Sequence, residues 1–328
     1  MNVLIFVQHD FDLWNVPAWF AEKLRSEFAG IDVVQLDSEG QVEAHLAQAE
    51  IMFAISLRAE QLAKARNLQW IHAPTAAVNQ LLIPELVNSD IVLTNSTEVH
   101  GTVVAEHVLA LIFALARKIP QSVILQQKHL WGQQTIWNDA PPPREIAGST
   151  LGLIGLGGIG REVATRASAL GMRVLAVRQD ATKPAPPGVS EVFPASQLDD
   201  VLQQSDYVVV AAPLTSATEG LINSARLALM KTDACLISVG RGPQVDEAAL
   251  ADALRRRQIA GAALDVFVQE PLAPESPLWS IENLLITPHT GSQTEKLWPR
   301  HYQLFSENLR RYLLGQELLF TVDKRRGY

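Results

Sequence analysis

Short apolar runs recur along the chain, separated by segments whose apolar residues fall at helical spacing. In the first hundred positions the runs are VLIFV (3–7), IDVVQL (31–36), IMFAIS (51–56), LQWIHA (68–73) and IVLTN (91–95). Between them lie stretches such as AWFAEKLRSEFAG, apolar on one helical face and closed by a glycine. Strands alternating with helices predict a parallel sheet covered by helices. A long apolar-periodic segment, GTVVAEHVLALIFALARK, then predicts a helix from Gly101 to about Leu130, interrupted at Pro120.

NDAPPPRE punctuates the chain as a loop, and a second series of the same kind follows. Its runs are TLGLIGL (150–156), RVLAVR (173–178), DYVVVAA (206–212), ACLISVG (234–240), GAALDVF (261–267) and LLITP (284–288). The last long segment, LWPRHYQLFSENLRRYLLG, reads as helix again. Two αβ units therefore stand in tandem, which suits a chain of 328 residues.

Composition narrows the possible partners. A formal net charge of −8 without a basic run leaves little for a phosphate backbone, so nucleic acid is not an expected partner. The basic cluster KRRGY reads as a solvated tail. One cysteine, Cys235, inside ACLISVG, rules out an intramolecular disulfide or a multi-cysteine metal site, and reads as a buried strand residue. No metal site is expected. MNVLIFVQHD lacks the basic flank of a signal peptide and reads as a first strand, and HVLALIFALA is too short to span a bilayer. No membrane partner is expected, and the expected location is the cytoplasm.

GLIGLGGIGRE places Gly155, Gly157 and Gly160 in G-x-G-x-x-G spacing between a predicted strand and a predicted helix. Such glycines allow a tight turn, a close approach to a pyrophosphate and close helix–strand packing, with phosphates on the helix N-terminus. The spacing alone is weak, and its strand–turn–helix context strengthens it. The next strand ends in LAVRQDATK, where an acid that holds the adenosine ribose would select NAD. Arg178 stands there instead, with Lys183 close behind. A guanidinium clamps a 2′-phosphate through charge-assisted hydrogen bonds of about 1.5–3 kcal/mol each. NADP is therefore the favoured cofactor, with NAD as the alternative if the strand runs on and Asp180 takes the ribose. Arg178 could also simply stack on the adenine of either cofactor.

Three more segments sit at predicted strand ends: LISVGRGPQVDEAAL, GAALDVFVQEPL and LLITPHTGS. With the glycine motif, and with LQWIHAPTAAVNQLL, LTNSTEVHGTVVAEHVLALIFALARKIP and VVVAAPLTSATEGLIN, they resemble the D-isomer-specific 2-hydroxyacid dehydrogenases over nearly the whole chain. The pattern is similar to that of NADPH-dependent glyoxylate and hydroxypyruvate reductases.

The resemblance implies an α/β fold of two Rossmann-like or flavodoxin-like parallel-sheet domains with a cleft between them. A substrate domain of residues 1–98 plus 291–328 would flank a dinucleotide domain of 99–290, with cleft closure excluding water. It implies hydride transfer between NAD(P)H and a small 2-keto acid, and a homodimer formed through residues 101–140. Arg241, Glu270 and His289 match the family's catalytic set. Arg241 would bind the substrate carboxylate and carbonyl, His289 would deliver the proton, and Glu270 would orient the imidazole. Singly, each has a blander reading as a surface, loop or turn residue.

Ala76 and Ala77, in the PTAAVN loop, would receive the substrate carboxylate on backbone N–H groups. The family often has glycine and aspartate where Ala77 and Asn79 stand, and asparagine where Ser238 stands. Gly155, Gly157, Gly158, Ile159, Gly160, Arg178, Gln179, Ala212, Pro213, Thr218, Val239, Gly240, Arg241, Asp265, His289 and Gly291 would line the cofactor, with Asp265 near the nicotinamide amide. Of the other histidines only His100 is placed beside the cofactor cleft. A cofactor-sensing corepressor and a formate or phosphite dehydrogenase are the rival readings on the same fold.

Overall fold

A computed structural model describes residues 1–327, and the terminal Tyr328 of the KRRGY stretch lies outside the described residues. The chain divides into two compact units, residues 101–292 and the segments on either side of them, 1–100 and 293 onward.

The first unit is built on five parallel strands: β1 (Asn2–Phe6), β2 (Asp32–Leu36), β3 (Ile51–Ala54), β4 (Trp70–Ala73) and β5 (Val92–Asn95), in the order β2-β1-β3-β4-β5. Consecutive residues Val3, Leu4 and Ile5 are all buried, because helices cover both faces of the sheet. On one face Phe20, Phe53, Trp70 and Phe305 form an aromatic core, with Trp70 stacked on Phe305 at 5.2 Å. Phe305 comes from the helix Leu297–Leu313, so the chain re-enters this unit after completing the second.

Beyond that helix the chain pairs with β5. Thr321 bridges Thr94 antiparallel, and the Val322 N–H donates to the Leu93 carbonyl at 2.8 Å, which covers an otherwise open sheet edge. Of the solvated tail expected for KRRGY, Arg325 and Arg326 are exposed, and Lys324 is the exception. Lys324 is half-buried, and its ammonium donates to the carbonyls of Ser89 (2.6 Å) and Ile91 (2.8 Å), which lie ahead of β5.

The second unit carries seven parallel strands. They are β6 (Thr150–Ile154), β7 (Arg173–Arg178), β8 (Glu191–Pro194), β9 (Tyr207–Val210), β10 (Cys235–Ser238), β11 (Gly261–Leu264) and β12 (Leu284–Ile286). Their order is β12-β11-β10-β9-β6-β7-β8, so the winding reverses between β6 and β9. Ligands of open α/β sheets bind at such a reversal, outside the carboxyl ends of the strands. Sequence periodicity misses β8, a four-residue edge strand whose final Pro194 is tolerated because nothing pairs beyond it. Cys235 is buried in β10, where burial pushes its thiol pKa up to about 11.

The expected long helix is two helices, Gly101–Ala116 and Ile119–Gln127, bent by 65°. The break falls at Lys118, in the left-handed region at φ 56°, ahead of Pro120. Pro120 instead sits in the first turn of the second helix, where its missing N–H costs nothing. Val104, Ala105, Val108 and Ile112 bury the first helix, whereas Ile119, Val123, Ile124 and, further on, Trp131 and Trp137 are exposed. Among the described residues no single helix is long and apolar enough to cross a membrane, although this bent pair passes on composition.

Two fully enclosed histidines sit in the first unit. Burial lowers the His72 pKa to about 3 and holds that of His301 well below its ordinary value. An unfolded chain binds a proton on each below about pH 6.5, while the folded chain refuses it on His72 down to about 3. Their contribution is therefore complete above about pH 6.5 and is lost as the pH falls through that window, at about 1.4 kcal/mol per pH unit for each histidine. Chemical denaturation at pH 6 and pH 4 should show stability falling less steeply in His72→Gln than in wild type. Equal slopes would contradict this.

Candidate functional site

β6 ends at Ile154, and the chain turns through Gly155 at φ +103°. A Cβ at Gly155 would lie 2.8 Å from backbone atoms of Ala211 and Ala212, so only glycine lets β6 and β9 approach at the reversal. A Cβ at Gly160 would lie 2.1 Å from the Gly155 carbonyl oxygen, which keeps the helix Gly158–Ala169 tight against its strand. At Gly157 a Cβ would meet nothing within 4 Å. The space above the helix N-terminus is therefore open, no acidic residue occupies its first turn, and the first-turn N–H groups have no carbonyl within the helix. The arrangement fits the pyrophosphate of a dinucleotide.

β7 ends at Arg178, which pairs in register with Pro194, so the strand does not run on to Asp180. The Arg178 Nη2 donates to the carbonyls of Lys183 and, at 3.2 Å, Pro184. Asp180 is exposed and accepts from the Thr182 hydroxyl (2.5 Å) and N–H (3.1 Å), bonds that lower its pKa. Its carboxylate thus closes its own turn, while Gln179 lies exposed between the two.

The loops after β10, β11 and β12 bring the other chemistry together. Gly242 lies so close to Phe267 and Val268 that a Cβ there would fall 1.9 Å from the Phe267 carbonyl carbon. That contact sets the loop carrying Arg241 against the loop carrying Glu270. The Arg241 N–H donates to Gln244 Oε1 at 2.8 Å, and Gln244 Nε2 donates to the Ala212 carbonyl at 3.1 Å. Burial lowers the Arg241 pKa, and the charge of Glu270 pushes it back up.

Glu270 accepts from the Phe267 N–H at 2.9 Å, and its Oε2 lies 2.6 Å from His289 Nδ1. Burial alone would raise the Glu270 pKa. Hydrogen bonds from His289 and Phe267, with the charges of His289 and Arg241, outweigh it and lower the value. A carboxylate on Nδ1 fixes the ring orientation and leaves Nε2 as the reactive nitrogen.

His289 itself is left-handed, at φ 52°, and its N–H reaches the Asp265 and Thr287 carbonyls, both at 3.0 Å. Asp265, 3% exposed, holds the same turn with its side chain. It accepts from the Thr287 hydroxyl (2.6 Å) and from the N–H groups of Thr290 and Gly291 (both 2.9 Å). His107 Nε2 lies 3.4 Å from its Oδ1. Burial favours the neutral acid, but these hydrogen bonds, His107's first, lower its pKa.

All the expected cofactor residues lie at or after strand ends of the second unit. Thr218 donates to the Pro213 carbonyl at 2.7 Å and closes its loop, Val239 and Gly240 are buried beside β10, and Gly291 lies against Asp265. Ala76 and Ala77 stand in the first unit, after β4, and Ala77 needs no positive φ. Sequence reading missed Gln244, Thr287 and His107, whose roles lie in bonding to other loops. Among the described residues no three His, Cys, Asp or Glu side chains gather as metal ligands.

Comparison with known proteins gives a consistent picture. The profile described as "D-isomer specific 2-hydroxyacid dehydrogenase, NAD binding domain" matches residues 109–291. A glyoxylate reductase of Thermofilum pendens is 37% identical over 275 residues, covering 81% of this chain and 78% of the relative. A D-3-phosphoglycerate dehydrogenase of Synechocystis is 34% identical over 87% of this chain, which spans only 52% of that longer protein. A D-isomer specific 2-hydroxyacid dehydrogenase of Xanthobacter autotrophicus, solved with NADPH and MES, superposes with a TM-score of 0.85 at 30% identity, covering 100% of this chain and 99% of the other.

The two inner glycines separate folding from ligand binding. Gly157 has φ −75°, which suits any residue. Gly157→Ala should keep the wild-type Tm and lose at least about tenfold in NADPH affinity, measured by fluorescence titration. Gly160→Ala should lower Tm by about 5 °C or more, through overpacking. Unchanged affinity in Gly157→Ala would contradict the phosphate assignment.

Proposed function

The chain belongs to the D-isomer-specific 2-hydroxyacid dehydrogenase family, and from that membership we propose that it reduces a small 2-keto acid to the D-2-hydroxy acid with NADPH. The observation that carries this reading is the 2.6 Å pair of Glu270 and His289, with Nε2 left for the substrate.

When bound, the nicotinamide supplies the hydride. The residues of the chain do the rest. The Arg241 guanidinium forks onto the carboxylate and carbonyl oxygen of the keto acid and polarises the carbonyl. His289 gives a proton from Nε2 to that oxygen as the hydride reaches the carbon, so the C=O becomes CH–OH. Glu270 stabilises the charged imidazolium before the transfer and keeps the ring aligned after it. Arg241 beside Glu270 keeps the latter an acceptor, because its charge favours the carboxylate. In the first unit the N–H groups of Ala76 and Ala77 take the substrate carboxylate.

Arg178 at the tip of β7, with the Lys183 side chain 71% exposed nearby, supports NADPH over NADH. Asp180, already bonded to Thr182, is a poor partner for a ribose diol. The exposed apolar residues between Ile119 and Trp137 support a homodimer that covers them.

Initial rates with glyoxylate, hydroxypyruvate and pyruvate, using NADPH and NADH, test the reading on a sample whose mass in solution should be that of a pair. We expect kcat/KM at least tenfold higher with NADPH. Arg178→Ala should lose about ten- to a hundredfold with NADPH and little with NADH. Equal or better rates with NADH in wild type would make this an NAD enzyme. Absence of turnover with every acid would overturn the proposed reaction.

A further inference from the structure

The loop after β4 has no regular hydrogen bonding of its own, so its carbonyls need partners. Two of them find partners at the end of β5. The Ser96 N–H donates to the Thr75 carbonyl at 3.0 Å, and Asn95 Nδ2 donates to the Ala76 carbonyl at 2.9 Å. The Asn95 amide cannot be turned over without loss, because its Oδ1 accepts from the Thr97 N–H at 3.3 Å. In a trans peptide the C=O and N–H point in opposite directions. Holding the carbonyls of Thr75 and Ala76 toward β5 therefore turns the N–H groups of Ala76 and Ala77 away from it.

A buried chain of side chains fixes the β5 end in turn. Trp70 Nε1 donates to Thr94 Oγ1 at 2.8 Å, and an indole can only donate. The Thr94 hydrogen then goes to His72 Nδ1 at 2.8 Å, which leaves the neutral His72 its proton on Nε2 for Ser96 Oγ at 3.1 Å. The Ser96 hydrogen passes to His301 Nδ1, also at 3.1 Å. Every member is at most 1% exposed, so each bond sits where an unmade one is costly. His301 comes from the C-terminal helix, which ties that returning segment to the base of the loop.

We propose that Asn95 is a positioning residue for the substrate: with Ser96 it aims the Ala76 and Ala77 N–H groups as a preformed receptor for a small carboxylate. The inference rests on the reading of that loop as the substrate-carboxylate site, and adds what holds it in shape.

Asn95→Asp is the direct test. The variant is isosteric and still accepts from Thr97, but sets an oxygen without a hydrogen against the Ala76 carbonyl. The KM for glyoxylate should rise about tenfold or more. The dissociation constant of oxamate from the NADPH complex should rise in step, with kcat and NADPH affinity within about threefold of wild type. Ser96→Ala removes one hydroxyl and keeps the backbone bond to Thr75. It should show a smaller rise in both constants, and it serves as the test should Asn95→Asp fail to fold. A lower Tm with unchanged KM and oxamate affinity would reduce these residues to a purely structural role and overturn the proposal. A wild type that binds oxamate without reducing any keto acid would overturn the reaction alone, and the oxamate constants would still decide this point. A wild type that does neither would overturn both.

Discussion

The carboxylate of Asp265, enclosed at the end of β11, accepts hydrogen bonds from Thr287, Thr290 and Gly291 and so dictates the turn on which His289 stands. A buried charge is tolerated only when it is well bonded. The bonds that satisfy it wrap the chain around it and hold His289 in a left-handed conformation that a non-glycine residue rarely adopts. The backbone is then fixed from one side and the imidazole from the other, by Asp265 and Glu270 respectively. The His289 side chain is thus positioned by two carboxylates on the same loop connection, five residues apart in the chain.

The same arrangement explains how three charged groups share a small volume. Glu270 lies between a cation and a potential cation, and its lowered pKa means that it remains an acceptor across the neutral range. Arg241 is held below its ordinary pKa mainly by burial, and its Nη1 donates to the Gly240 carbonyl at 2.7 Å. Gln244, fully enclosed, joins the loops after β9 and β10 by hydrogen bonds to the Arg241 N–H and the Ala212 carbonyl.

Much of this is legible in the residues because each legible feature answers a steric or electronic demand that few side chains meet. Gly155 and Gly160 stand where a Cβ would strike backbone. The Arg241, Glu270 and His289 set is persuasive only collectively, since each follows a separate predicted strand and the strand ends converge. The choice between Arg178 and Asp180 depends on where β7 stops, a boundary that periodicity leaves uncertain by a few residues. What stayed hidden is long-range: the clasp of Asp265 on the turn that carries His289, the support from Gln244, and Asn95 under the loop after β4. Each of these acts through hydrogen bonds to distant backbone, which no local pattern records. The docked Lys324 was hidden for the same reason.

The central claim is that His289, aligned by Glu270, delivers the proton that accompanies hydride transfer. Single-turnover oxidation of bound NADPH by saturating glyoxylate, followed by absorbance in wild type and His289→Gln, tests it most directly. The variant should bind NADPH as the wild type does and transfer hydride at least about a hundredfold more slowly. A rate within about threefold of wild type would contradict the claim and leave the proton to come from elsewhere.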